Sequence, residues 1–236
     1  MRKPYISLVY YSNQTSWTPL HTYCQMRLRE RILDMNIEFI SVTSIPVHFI
    51  EDESSILIIY PQEEQSAHID IYQRILKGLD VATAEYVALI EHDVLYPVGI
   101  FIDSYFSPML SALKANPGKL VYNSNIYHLT DKGFFKAIDW CNFMSNLAGP
   151  TDVMKQAIQK KLEEATNSID KCPMWAEPGE ELGVDFIRES VSACPVVDIR
   201  HGQNLTGDRA PADGCYLEEI PDWGITKKLL ERMMLE

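Results

Sequence analysis

Four strand-length apolar runs fall within the first 97 residues, and what lies between them restricts what the chain can build. "YISLVYYS" (5–12) is rich in β-branched and aromatic residues and breaks into the polar "NQTS", so it reads as a strand delivering a loop. Between Leu20 and Leu33 apolar and basic residues separate onto opposite sides of a helix, and "IEFISVT" (37–43) reads as the second strand, closed by "SIP". "SILIIYP" (55–61) is the third. "SAHIDIYQRILKGLD" then places Ile69, Tyr72, Leu76 and Leu79 on one helical face and leads into "EYVALIEHDVLYP" (85–97), the fourth strand. Strands separated by helix-length segments predict an α/β fold. Its sheet is mostly parallel and covered on both faces, and ligands sit at the carboxyl ends of its strands.

The second half is less regular. "VGIFIDSYFSPMLSALKANPGK" reads as a helix disturbed at Pro108 and closed by "NPGK", before a short strand at "LVYNSN". Helices are expected in "KGFFKAIDWCNFM", in "TDVMKQAIQKKLEEA" through Met154, Ile158 and Leu162, and in "EELGVDFIRESVSA" through Leu182 and Phe186. A strand "CPVVDI" (194–199) runs into "RHGQNLTGDR", and the tail "WGITKKLLERMMLE" is an amphipathic helix through Ile225, Leu229 and Met233. No internal repeat and no Gly-, Ser- or Pro-rich linker divides the chain, so one domain over residues 1–236 is expected.

Charge and cysteine usage narrow the function classes. A formal net charge of −12 disfavours a general grip on a polyanion. The five cysteines are scattered and never form a C-x-x-C pair, which argues against a disulfide framework and against a thiolate zinc site. "MRKPYISLVYY" carries no signal-peptide pattern and no run approaches the ~20 apolar residues of a membrane span, so a cytoplasmic location is expected.

The fourth strand ends in Glu91, His92 and Asp93. While a chain stays extended, alternate side chains share a face, so Glu91 and Asp93 are expected on one side and His92 on the other. Paired carboxylates at a strand end suit a hard divalent cation that also holds phosphate oxygens, although acids also close many strands simply as a solvated end. "DIRHGQNLTGDR" (198–209) supplies complementary parts: His201 as a metal ligand or an ordinary hydrogen-bonded histidine, glycines for close approach, and Arg200 and Arg209 for phosphate. In "YNSN", Asn123 and Asn125 suit either sugar hydroxyls or a turn.

At these residues the chain resembles GT-A fold glycosyltransferases, particularly small bacterial and viral proteins related to glycosyltransferase family two. "IDIYQRILKGLDVATAEYVALIEHDVLYP" carries the resemblance, with its Gln-Arg helix, Thr-Ala-Glu-Tyr turn and acidic triplet, over about residues 5–97 and more loosely over 196–209. It implies a Rossmann-like three-layer α/β/α fold, with a nucleotide-sugar-binding half at about 1–97 and an acceptor half at about 98–236. Carried over, Asp93 and His201 hold Mn²⁺ or Mg²⁺, and Glu91 stands where the family more often has aspartate. Arg74 approaches the nucleotide, while Tyr10, Tyr11 and Ser12 stand where the first strand opens onto the base.

The activity so implied moves a sugar from a UDP- or GDP-linked donor to an acceptor hydroxyl, on a glycan or on a hydroxymethylated DNA base. Arg200 or Arg209 would help to stabilise the departing diphosphate. An inverting enzyme needs a base, and the cluster Glu177, Glu180, Glu181 and Asp185 in "WAEPGEELGVD" offers carboxylates, although acids at a helix start are also expected from the helix dipole. Two rivals remain. A nucleotidyltransferase would need a glycine-rich, basic loop after the first strand, and "YYSNQTSW" has neither glycine nor a basic residue. A catalytically silent sugar- or nucleotide-binding protein would keep the fold without turnover.

Overall fold

A computed structural model describes residues 4–32, 36–47, 55–61, 67–97, 105–137, 142–167, 184–201, 211 and 213–235. The first part of the chain runs β1 (Ile6–Ser12), α1 (Pro19–Ile32), β2 (Glu38–Thr43), β3 (Ser55–Ile59), α2 (Ala67–Val81), β4 (Tyr86–Glu91) and β5 (Val94–Leu95). Next come α3 (Phe106–Ala115), β6 (Leu120–Asn123), β7 (Ile126–Thr130), β8 (Gly133–Lys136), β9 (Leu147–Pro150) and α4 (Thr151–Asn167). The chain finishes with β10 (Phe186–Glu189), β11 (Val196–Ile199), β12 (Glu219–Ile220), β13 (Gly224–Ile225) and α5 (Thr226–Leu235).

Seven strands form the main sheet in the order β10-β6-β9-β4-β1-β2-β3, and only β9 runs against the others. β1 is buried at every position, which explains its continuous apolar sequence: both of its faces are covered. On one side Leu8, Tyr10, Ala88 and Ile90 pack with Leu28 and Ile32 of α1 and with Met109 and Leu113 of α3. On the other, Val9, Tyr11, Val87 and Leu89 pack with Ile75 and Leu79 of α2 and with Met154 and Ile158 of α4. Each large apolar side chain so buried contributes about 1.5–3 kcal/mol. Gly78 lets α2 approach closely, since a Cβ there would come within 2.5 Å of Val9 Cγ1. The fold is therefore the expected α/β arrangement, with a mostly parallel sheet between helices.

Three expectations for the second half need correction. "KGFFKAIDWCNFM" does not begin as a helix: Gly133–Lys136 forms β8 and folds back on β7 with Thr130 opposite Gly133. The turn at Asp131–Lys132 and the positive φ of Gly133, 138°, favour this hairpin, and a side chain at Gly133 would strike the Leu217 carbonyl. "DFIRE" is not helical either, because β10 pairs in parallel with β6 and finishes the sheet edge. Leu182, the other apolar residue of that expected helix, lies outside the described residues. Pro108 does not disturb its helix; it is the third residue of α3, where its missing N–H has no partner to lose.

A second sheet, β5-β11-β7-β8, was not anticipated. Leu95, Leu129, Phe134, Val197 and Ile199 from this sheet pack with Tyr23 and Cys24 of α1 and with Leu229 and Met233 of α5. The tail helix docks through the expected stripe except for Ile225, which belongs to β13 and is exposed. Among the described residues no helix is long and apolar enough to cross a membrane.

Candidate functional site

β4 leaves the main sheet at Glu91, His92 and Asp93 make a turn, and β5 joins the second sheet by pairing antiparallel with β11. The register sets Val94 opposite Asp198 and Leu95 opposite Val197, and Ile199 N–H donates to the Asp93 carbonyl at 3.1 Å. This short ladder carries His201 to Asp93. Their side chains meet with Nε2 3.3 Å from Oδ2, although 108 positions separate them in sequence.

The turn changes the expected geometry of the triplet. Alternation holds only through Glu91, which lies in register with Tyr11 on the α2 side and accepts a short hydrogen bond from its hydroxyl. Asp93 lies beyond the strand, near Tyr10, Cys24 and His21 on the α1 side, and is buried. The two acids do not share a face. His92, His201 and Arg200 together favour the ionised form of the Asp93 carboxylate.

His21, on the first turn of α1, completes this group. Its ring lies 4.9 Å from that of His92 and 5.6 Å from that of His201, centroid to centroid. Thr18 N–H approaches His21 Nδ1 at 3.2 Å and Thr18 Oγ1 lies 3.1 Å from the same nitrogen. His21 Nε2 is buried without a hydrogen-bond partner, while His92 is buried against the Tyr11 backbone. Such atoms are costly to leave unsatisfied. Sequence reasoning missed His21 and set His92 aside. The available signal was that three of the chain's six histidines stand at the carboxyl edge of the main sheet or just beyond a strand that reaches it.

Burial alone would raise the Asp93 carboxyl, but positive charge on His92, the contact with His201 and the nearby Arg200 outweigh it and hold the group well below the usual carboxylate range. Burial, reinforced by His92, pushes the His21 imidazole down to about 4, and burial lowers His92 as well. For the metal-free protein the sign of the linkage follows. The unfolded chain binds protons near pH 6.5 that folded His21 refuses until about pH 4, so the stability contribution is complete above 6.5 and lost as pH falls toward 4. Unfolding free energies from urea titrations across this window should fall by up to about 1.4 kcal/mol per pH unit for each such proton, and His21→Asn should flatten the slope.

The remaining candidates divide by location. Arg200 donates from Nε to His128 Nδ1 at 3.1 Å and from its NH2 group to Asp198 Oδ2 at 2.6 Å, which anchors it behind Asp93. Ser12, at the carboxyl end of β1, is buried and accepts from Gln14 N–H at 3.2 Å. Tyr10 is buried with its hydroxyl accepting from Gln25 Nε2 at 3.0 Å, and Tyr11 is buried on the opposite face.

Arg74 is corrected: its side chain is wholly buried, bonded to both Asp70 oxygens and to the Tyr60 carbonyl, so no surface remains for a nucleotide. Asp185 is corrected too. It precedes β10, level with the start of β4 and at the opposite end of the sheet from Asp93, and its carbonyl accepts from Leu120 N–H. Asn123 and Asn125 hold the 191–192 segment in the turn role. Glu177, Glu180, Glu181 and Arg209 lie outside the described residues.

The donor set gathered here fits a divalent metal in residue type: one ionised carboxylate and neighbouring imidazoles. Among the described residues, however, no three His, Cys, Asp or Glu groups stand in a metal-holding arrangement.

No protein-family model and no curated protein matches the chain. Among solved structures it is similar to S. aureus TarS, a glycosyltransferase, with 9% identity and a TM-score of 0.43. The alignment covers 64% of this chain and 29% of that one, a likeness too slight to bear on activity.

Proposed function

We propose that this chain is a metal-dependent glycosyltransferase that moves a sugar from a nucleoside-diphosphate donor to an acceptor hydroxyl. The observation that carries the reading is the Asp93–His201 pair, brought together at the carboxyl edge of the sheet by β5 and β11. In open α/β sheets that edge is where ligands bind. Its resemblance to the metal-binding triplet and later histidine of GT-A enzymes adds the reaction class.

Asp93 and His201 would hold Mn²⁺ or Mg²⁺, which when bound supplies positive charge to the leaving diphosphate. Arg200, fixed by Asp198 and His128, adds a nearby cation whose orientation does not have to be reorganised during transfer. Ser12 sits at the end of the neighbouring strand β1, while Glu91 orients β4 through Tyr11 and Tyr96. The proposal retains Arg209 for the diphosphate and one of Glu177, Glu180 and Glu181 as the base that takes the acceptor proton.

A thermal-shift panel of UDP- and GDP-linked sugars, with and without Mn²⁺, tests this. At least one donor should raise the midpoint only with metal present, and a matched assay should detect release of the nucleoside diphosphate. Stabilisation without release would instead favour the silent binding protein. No metal-dependent response across a broad panel would count against both.

A further inference from the structure

We propose that Asn146 is a further substrate-binding residue, whose side-chain amide takes a hydroxyl group of the donor sugar. The inference rests on the glycosyltransferase reading and goes beyond it in naming a residue that reads the sugar rather than the diphosphate.

Asn146 ends a short 3₁₀ turn, Met144–Asn146, that leads directly into β9. The register fixes where this turn lies. Ala148 stands opposite Ala88 and Leu147 opposite Tyr122, so the antiparallel β9 brings Asn146 between the carboxyl ends of β4 and β6. Tyr96 ties the turn to the end of β4, its hydroxyl accepting from Glu91 N–H at 3.2 Å and donating to the Ser145 carbonyl at 2.8 Å. Ligands of an open α/β sheet bind along this edge.

What singles out Asn146 is an amide only half in use. Its side chain is fully buried, Nδ2 donates to Ser145 Oγ at 3.1 Å, and Oδ1 has no partner. Exchanging the amide's oxygen and nitrogen changes only the sign: Oδ1 then accepts from the Ser145 hydroxyl and the NH2 group is left over. Asn123, at the neighbouring end of β6, shows how this fold treats a structural asparagine. Its Nδ2 donates to Ser192 Oγ at 3.0 Å, and its Oδ1 accepts from Val191 N–H at 3.1 Å and from Asn125 N–H at 3.2 Å. An unpaired arm in the interior is costly, and Asn123 avoids that cost where Asn146 does not.

The chemistry of the partner follows from the arm. A neutral amide suits a neutral polar group rather than a phosphate or an ammonium, and the nearby Glu91 carboxylate is already engaged by the Tyr11 hydroxyl. A hydroxyl both donates and accepts, so it satisfies either orientation of the amide, and a sugar ring presents several. Because the arm is enclosed, the hydroxyl reaches it as the 3₁₀ turn shifts. Turns of this kind have poorer hydrogen-bond geometry than an α-helix, and this one closes through Asn146 N–H donating to the Phe143 carbonyl at 2.9 Å.

The test compares the wild type with the double variant Ser145→Ala, Asn146→Leu, which removes both members of their hydrogen bond and leaves neither side chain with an unmatched polar atom. Calorimetry in Mn²⁺ measures the affinity of the UDP- or GDP-linked sugar that stabilises the wild type, and of its mono-deoxy analogues. The wild type should bind one analogue about 10-fold more weakly than the intact donor. The double variant should bind the intact donor about 10-fold more weakly than the wild type does, and should not distinguish it from that analogue. Its urea midpoint should stay at or above the wild-type value, since an unmatched buried arm has gone. If both proteins rank the analogues alike, the arm holds a trapped water and the inference is overturned. A lowered urea midpoint with unchanged donor affinity overturns it too, by making the amide purely structural. Both results leave the glycosyltransferase reading intact, whereas a wild type that binds no donor removes that reading and the inference together.

Discussion

Asp93→Ala should lower kcat/KM for metal-dependent transfer by at least about 100-fold, while the protein stays folded. Asp93 is buried and ionised beside His201 and Arg200. Glu91 is the nearest acid in sequence, but its side chain lies across the sheet under the Tyr11 hydroxyl. Glu91→Gln can keep that hydrogen bond and should lose far less activity. Nucleoside diphosphate release for the two variants, alongside thermal unfolding, separates loss of chemistry from loss of fold. An Asp93→Ala enzyme that turns over at the wild-type rate removes the central assignment.

The largest effect on stability should come from Arg74→Met. Asp70 and Arg74 face each other at 2.8 Å with almost no exposed surface, and Arg74 also donates to the Tyr60 carbonyl just past β3. Removing the guanidinium strands a carboxylate in the interior, which costs about 3–5 kcal/mol when one partner of a buried pair is lost. Replacing both, as Asp70→Asn with Arg74→Met, should recover much of that loss, because the stranded charge disappears with its partner. Urea unfolding of the single and double variants forms the necessary cycle. Additive effects, or a single-variant loss below about 1 kcal/mol, would show that the pair is not what ties α2 to the end of β3.

The contrast between these two residues explains what was legible in the sequence. β1 and β4 could be read because burial on both faces leaves continuous apolar runs, and α2 and α4 because their buried faces repeat at helical spacing. β8 and β10 could not, since each has four residues and is defined by its pairing partner rather than by its own pattern. Within the site, Asp93 and His201 were visible as ligand types at strand ends. His92 was misplaced because alternation was carried two residues past the point where the chain turns, and His21 was missed because only the folded chain sets the start of α1 beside that turn. Arg74 shows the reverse error: a basic residue on the right helix, turned inward by an aspartate one turn earlier.

The two-residue ladder between β5 and β11 also has a meaning for biosynthesis. When the ribosome has released the first half of the chain, β1, β2 and β4 can already pair, yet Asp93 has no histidine from β11 beside it. Only after about a hundred further residues have emerged can His201 arrive. The contact between the pair is thus a late event in the life of each new molecule, and a chain released early carries strands β1–β4 but only one member of the Asp93–His201 pair.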